Sequence, residues 1–137
     1  MNEHKPSIVI DATNATLGRL ASYVAKQSLL GKEIAIVNCS KAIITGRKRN
    51  IIDDYNNRRK KGGSAQKGPF FPKSPEKIMK RTIRGMLSYK QGRGLAALKR
   101  IRCYNQVPVE LEAAKKVHAG KEKRTTVMEL QELSREI

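Results

Sequence analysis

The sequence predicts an α/β fold, and three adjacent segments carry that expectation. Ser7-Ile-Val-Ile-Asp-Ala12 is a short apolar run rich in β-branched residues, which reads as a buried strand. Leu17, Leu20, Ala21, Val24, Ala25 and Leu29 then recur at helical spacing, with Asn14 and Thr16 as cap residues before them and Gly31 as the terminator after them. Glu33-Ile-Ala-Ile-Val-Asn38 reads as a second buried strand. Strand, helix and strand in so short a span make a βαβ unit, which implies a parallel pair joined by a right-handed crossover. A chain of 137 residues fits one domain.

The following elements are less regular. Ala42-Ile-Ile-Thr45 reads as a strand or a brief helical turn, ended by Gly46. Arg47 to Lys61 is compatible with a helix whose only apolar stripe is Ile51, Ile52 and Tyr55, so it packs by one thin edge. Gly62 to Lys73 holds three glycines and two prolines and reads as a loop. Ser74-Pro75-Glu76 is a helix start: a cap residue, a proline at the first position and an acid in the first turn. That helix is expected to bury Ile78, Met79, Ile83, Met86 and Leu87. Gly92 and Gly94 interrupt the chain, Leu95 to Lys99 reads as a short helix, and Arg100 to Tyr104 alternates like an edge or half-buried strand. Val107-Pro108 opens a tail. Thr126 to Glu129 has capping-box spacing ahead of an apolar stripe of Val127, Leu130, Leu133 and Ile137. This last helix packs either on its own domain or on a neighbouring protein. The expected organisation is a single domain over residues 1–137. It has an α/β core at 8–104 carrying a basic insert at 47–73, and an extension at 105–137 that ends in a short helix.

Charge is distributed unevenly over these elements. Of the net +17, +15 falls between residues 47 and 102, where 18 Lys or Arg face only Asp53, Asp54 and Glu76. A positive field concentrated in this way points to a polyanion, most commonly nucleic acid. Arg47-Lys-Arg49 and Arg58-Arg-Lys-Lys61 lie at opposite ends of the polar helix, roughly 16 Å apart, far enough to touch separate phosphates. Lys67, Lys73, Lys77, Lys80, Arg81 and Arg84 continue onto the next helix, followed by Lys90, Arg93, Lys99, Arg100 and Arg102. With four Tyr, two Phe and no Trp, an aromatic base-stacking platform of the single-strand-binding kind is not expected. Phosphate contacts and shape recognition fit better.

Other chemistries find little support. Gly92-Arg-Gly-Leu-Ala-Ala97 fits a dinucleotide-binding pattern, but a helix and not a strand precedes it. Asp53 and Asp54 are adjacent on a helix, about 100° apart, so they suit ion pairs with Arg49 or Arg58 better than acid–base work. Asp11, at the end of the first strand, reads as a turn residue bonded to Thr13 or Asn14. His4 and His118 lack partners for nucleophilic catalysis or metal spacing, so no metal is expected. Cys39 and Cys103 read as small buried hydrophobes in a reducing compartment, with a disulfide left open. No run approaches a membrane span and Met1 to Ser7 is not a signal peptide, so a cytoplasmic protein is expected.

Several segments resemble a known family. Ile8-Val-Ile-Asp-Ala-Thr13 followed by Thr16-Leu-Gly-Arg-Leu-Ala-Ser22 resembles the N-terminal signature of the universal large-subunit ribosomal protein family thirteen. Ile36-Val-Asn-Cys-Ser-Lys-Ala-Ile-Ile-Thr-Gly46 resembles its second block. Arg81-Thr-Ile-Arg-Gly-Met-Leu87 with Arg93-Gly94 resembles its third. The long polar helix and compact length are similar to the archaeal type. The resemblance implies a three-layer α/β/α sandwich around a small, mostly parallel four-stranded sheet, with basic loop and helix extensions. It also implies large-subunit rRNA and neighbouring large-subunit proteins as partners, and no catalysis, cofactor or small-molecule substrate. The family's RNA-contacting blocks correspond by position to Lys41, Arg47, Lys48 and Arg49, then Arg81 and Arg84, then Lys90 and Arg93. Two residues depart from the family pattern: Asn14 stands where Gly is usual, and Ser88 where Pro usually follows Gly-Met-Leu. Asn tolerates the left-handed conformation that the first turn needs.

The expected RNA-binding set joins these to the basic clusters: Lys41, Arg47, Lys48, Arg49, Arg58, Arg59, Lys60, Lys61, Lys67, Lys80, Arg81, Arg84, Lys90 and Arg93. Two alternatives stand beside a structural ribosomal protein. One is a nucleotide-binding α/β protein using Gly92 to Ala97. The other is a free-standing interaction module docking through the final apolar stripe.

Overall fold

The computed structural model describes residues 6–60, 72–112, 114–118 and 127–136. The chain runs β1 (Ile8–Asp11), α1 (Leu17–Leu29), β2 (Ile34–Val37), a 3-10 turn at Cys39–Lys41, β3 (Ile43–Thr45), α2 (Lys48–Arg59) and α3 (Pro75–Gly85). It continues through α4 (Gly92–Lys99), β4 (Ile101–Cys103), a 3-10 turn at Val109–Leu111, β5 (Lys116–His118), β6 (Val127–Glu129) and α5 (Leu130–Glu136).

The sequence-predicted βαβ unit is present: β1 and β2 pair in parallel, with Ile8 opposite Ile34 and Asp11 opposite Val37. The four-stranded sheet has the order β4-β2-β1-β5, and each of its pairings is parallel. A separate antiparallel pair joins β3 to β6. The fold is therefore α/β, built on a parallel four-stranded sheet. One face of the sheet presents Ile10, Ile34, Ile36 and Ile101 to a core that takes in Leu20 and Val24 of α1, Met79 and Ile83 of α3, and Leu130 and Leu133 of α5. The other face presents Val9, Ala35 and Val37 to a thinner layer made by Leu111, Tyr104, Val107 and Ala114.

Local geometry explains the turns. Asn14 has φ 59°, the left-handed conformation, and its N–H donates to the Lys41 carbonyl at 3.1 Å. Asp11 Oδ1 accepts from the Thr13 N–H at 3.0 Å, the Thr13 hydroxyl at 2.7 Å and the Asn38 side-chain amide at 3.1 Å. Burial raises the pKa of the Asp11 carboxyl, but the Thr13 and Asn38 hydrogen bonds and the nearby His118 outweigh it and hold the carboxyl below its ordinary range. At α3 the Glu76 N–H donates to Asn105 Oδ1 at 3.1 Å, so a residue of the β4 side caps that helix.

Three sequence expectations change. Val127–Glu129 is a strand and not the start of a helix: Ile44 lies opposite Met128, and the Leu130 N–H donates to the Ala42 carbonyl at 2.9 Å. Val and Met accept the extended form, and the edge of β3 offers backbone partners that an isolated helical turn lacks. Thr126 lies outside the described residues. Met86 is 44% exposed, because α3 ends at Gly85 and the chain turns before Leu87, which is buried. Finally, α4 begins at Gly92, three residues earlier than the periodicity suggested. A Cβ on Gly94 would lie 2.0 Å from the Ser88 carbonyl oxygen, so glycine is required for the close approach of α4 to the preceding turn.

Candidate nucleic-acid interface

The basic residues separate into those that build the fold and those that face outward. Lys80 belongs to the first group: its ammonium donates to the Ile101 carbonyl at 2.6 Å and ties α3 to β4. Arg100, also basic, donates to the Ser28 carbonyl at 2.9 Å. Lys48 is exposed and donates to Glu132 at 2.6 Å, bridging α2 to α5. Lys41, Arg47 and Arg49 are exposed around the start of α2, and Lys60 is exposed at its end. Lys90 and Arg93 are exposed around the start of α4. Arg59 is described only in its backbone, and Lys61 and Lys67 lie outside the described residues.

Arg58 on α2 and Arg81 and Arg84 on α3 form a more specific group. Arg58 pairs with Asp54 one helical turn away, at 3.1 Å, and its guanidinium lies 5.7 Å from the centre of the Tyr55 ring. Arg84 lies 4.9 Å from the centre of the Tyr89 ring. Its Nε is buried without a hydrogen-bond partner among the described residues. Arg81, half-buried, stands among them. Burial disfavours its charge, Arg84 and then Arg58 oppose it further, and the two tyrosines partly compensate. Burial likewise raises the Tyr55 phenol, against the pull of Arg58 and Arg81. Guanidiniums held close together on two rigid helices repel one another, and a phosphate between them relieves that repulsion.

Two hollows flank this group. One, of about 240 Å3, is lined by Tyr55, Arg58, Ile78, Arg81 and Thr82. The other, of about 330 Å3, is lined by Lys77, Lys80, Arg81, Arg84 and Leu98. Composition concealed the role of the tyrosines. The chain has few aromatics, yet Tyr55 and Tyr89 are both placed against arginines of this group. The spacing of Tyr55 to Arg58 on one helix face was the available signal. The placing of Tyr55 and Arg58 beside Arg81 had none.

The remaining chemistry is sparse. Cys39 and Cys103 are both free thiols, Cys39 fully buried. A hydrogen bond with the Cys103 thiol, and then burial, push the Cys39 thiol well up, so it stays protonated. Among the described residues no group of three or more His, Cys, Asp or Glu is placed to hold a metal ion. Among them, too, no helix is long and apolar enough to cross a membrane. The Gly92–Ala97 segment is the opening of α4, folded against Ser88, and follows a helix and a turn. Leu130 and Leu133 of the last stripe are 0% exposed within the domain itself, leaving them unavailable to a docking partner.

Comparison with known proteins decides the family. The sequence model described as Ribosomal protein L13 matches residues 5–110. The chain belongs to the ribosomal protein L13 family. It is 53% identical over 105 residues to the large ribosomal subunit protein uL13 of Picrophilus torridus, covering 77% of this chain and 75% of that one. It is 46% identical over 132 residues to the uL13 of Thermoplasma volcanium, covering 94% and 96%. The uL13 of Methanosarcina barkeri is 52% identical over 105 residues, covering 76% and 74%. These are archaeal members, in keeping with the archaeal type that the sequence resembles, and the family is one of structural proteins and not of enzymes.

Proposed function

We propose that this chain is a structural constituent of the large ribosomal subunit in the cytoplasm and that it binds large-subunit rRNA through the basic surface of α2, α3 and the start of α4. Membership of the L13 family, with relatives named as large-subunit proteins, supports the place of work. The observation that carries the binding mode is the placing of Arg58, Arg81 and Arg84 around two adjoining hollows that Arg81 lines in common. Lys41, Arg47, Arg49, Lys60, Lys90 and Arg93, all exposed, extend the contact to further phosphates, and Lys61, Lys67 and Arg59 add charge in the same stretch of sequence. Neighbouring large-subunit proteins are the remaining partners. No cofactor or small-molecule substrate enters this reading.

Affinity for large-subunit rRNA measured against salt concentration tests it. Each phosphate contact contributes roughly one unit to the slope of log affinity against log salt. Replacing Arg81 and Arg84 together by Gln is expected to weaken binding and flatten the slope by roughly one to two units. An unchanged slope rejects this contact. Loss of the chain from large subunits during sucrose-gradient sedimentation of cell extract would reject the ribosomal role.

A further inference from the structure

Gly85, at the end of α3, is a glycine that the fold itself does not require. Its backbone is not left-handed, and a Cβ built on it would meet no atom within 4 Å. A side chain would fit there without strain, so glycine leaves open space beside the end of α3. Its bare flank forms part of the wall of the hollow between α2 and α3, together with Tyr55, Arg58, Arg81 and Thr82. At about 240 Å3 that hollow is below the roughly 300 Å3 at which pockets for drug-sized ligands begin, a size suited to a single ring system.

Arg81 forms a wall of this hollow and also of the adjoining cleft, where Lys77, Lys80 and Arg84 stand. Arg81 and Pro72 therefore stand between a space whose lining includes Tyr55 and a space lined mostly with cations. Unstacked RNA bases are held on aromatic faces and guanidinium planes, while their phosphates follow adjacent positive charge. We propose that the Tyr55–Gly85 hollow receives one unstacked base of the rRNA, with its neighbouring phosphate bound in the cleft beyond Arg81. Gly85 keeps the entrance open. The inference rests on the rRNA-binding reading above and adds to it a specific nucleotide-sized site. It departs from the expectation that this protein, poor in aromatics, contacts only backbone and shape.

The experiment uses the full chain and protein-free large-subunit rRNA, with affinity measured by filter binding over a range of salt. Gly85→Leu fills the hollow from a position with open space, so its thermal midpoint is expected to be no lower than that of the parent chain. Its affinity is expected to fall roughly tenfold with the salt slope unchanged, because no cation is removed. Tyr55→Leu is expected to lose a similar factor, whereas Tyr55→Phe keeps the parent affinity because the ring and not the hydroxyl is used. Parent-like binding by a folded Gly85→Leu chain overturns the base site while leaving the rRNA reading intact. So does equal loss in Tyr55→Leu and Tyr55→Phe. Absence of salt-dependent rRNA binding by the parent chain overturns the broader reading, and the base site with it.

Discussion

The helices α1, α2 and α3 have 13, 12 and 11 residues, yet the β1–α1–β2 unit and the α2–α3 pair meet water in opposite ways. Helix α1 buries Leu17, Leu20, Ala21, Val24, Ala25 and Ser28, and β2 is buried along its whole length. Among its described side chains helix α2 buries Ile51 alone, with Ile52 and Tyr55 half covered, and α3 buries one stripe while its flank carries Lys77, Arg81 and Arg84. The first unit draws its stability from apolar area removed from water. The second is held to the core by the α3 stripe of Ile78, Met79 and Ile83 and by Ile51 of α2, with the Lys48–Glu132 bridge, the Lys80 bond to β4 and the Asn105 cap beside them. Asp54, Tyr55 and Tyr89 stand against the arginines of α2 and α3. One core therefore serves both: the first unit lies within it on most sides, and the second gives it one stripe and keeps its charged flank in water.

The largest expected effect tests the buried unit. Ile36→Ala empties space at the centre of β2, where Ile36 is 0% exposed, and should cost about 2–5 kcal/mol in urea unfolding. The same variant, at a temperature where it is folded, should bind rRNA like the parent. A large affinity loss in the folded variant would break the separation of the two units.

Asp11→Asn should cost about 1 kcal/mol near neutral pH through weakened bonds to Thr13 and Asn38. Because the folded-state pKa of Asp11 lies below its unfolded value, its ionised form adds stability above about pH 4 that is lost as pH falls through the folded-state pKa. The gap between parent and variant should therefore shrink as pH falls below about 4. A gap that widens on acidification would contradict this.

Arg81→Gln should change stability by no more than about 0.5 kcal/mol, with any gain greatest at low salt, because relief of repulsion offsets lost contacts. A loss above 1 kcal/mol would make Arg81 a structural residue like Lys80. The smallest effect belongs to the bridge between exposed Lys48 and Glu132. A double-mutant cycle with both replaced by Ala should give a coupling below about 0.5 kcal/mol that fades with added salt.

Legibility of the sequence follows the same division. Periodicity reveals an element when its own side chains determine its burial, as in β1, α1, β2 and the apolar stripe of α3. The three-residue strands β5 and β6 are too short for a period, and β5 is Lys-Val-His, which carries no strand pattern. The edges of β1 and β3 supply their pairing partners. The chemistry of the candidate site was half visible. Counting placed the cations between residues 47 and 102, but it could not separate Lys80 and Arg100, which hold carbonyl groups of the fold, from Arg58, Arg81 and Arg84.

The sequence by itself determined the parallel βαβ core and the concentration of charge, because each depends on residues close together in the chain. Only the tertiary structure decided that Val127–Glu129 would extend against β3, that Gly94 would pack on Ser88, and that Tyr55 and Gly85 would line one hollow. Those outcomes depend on which distant backbone edges and helix faces meet, and local periodicity carries no record of that.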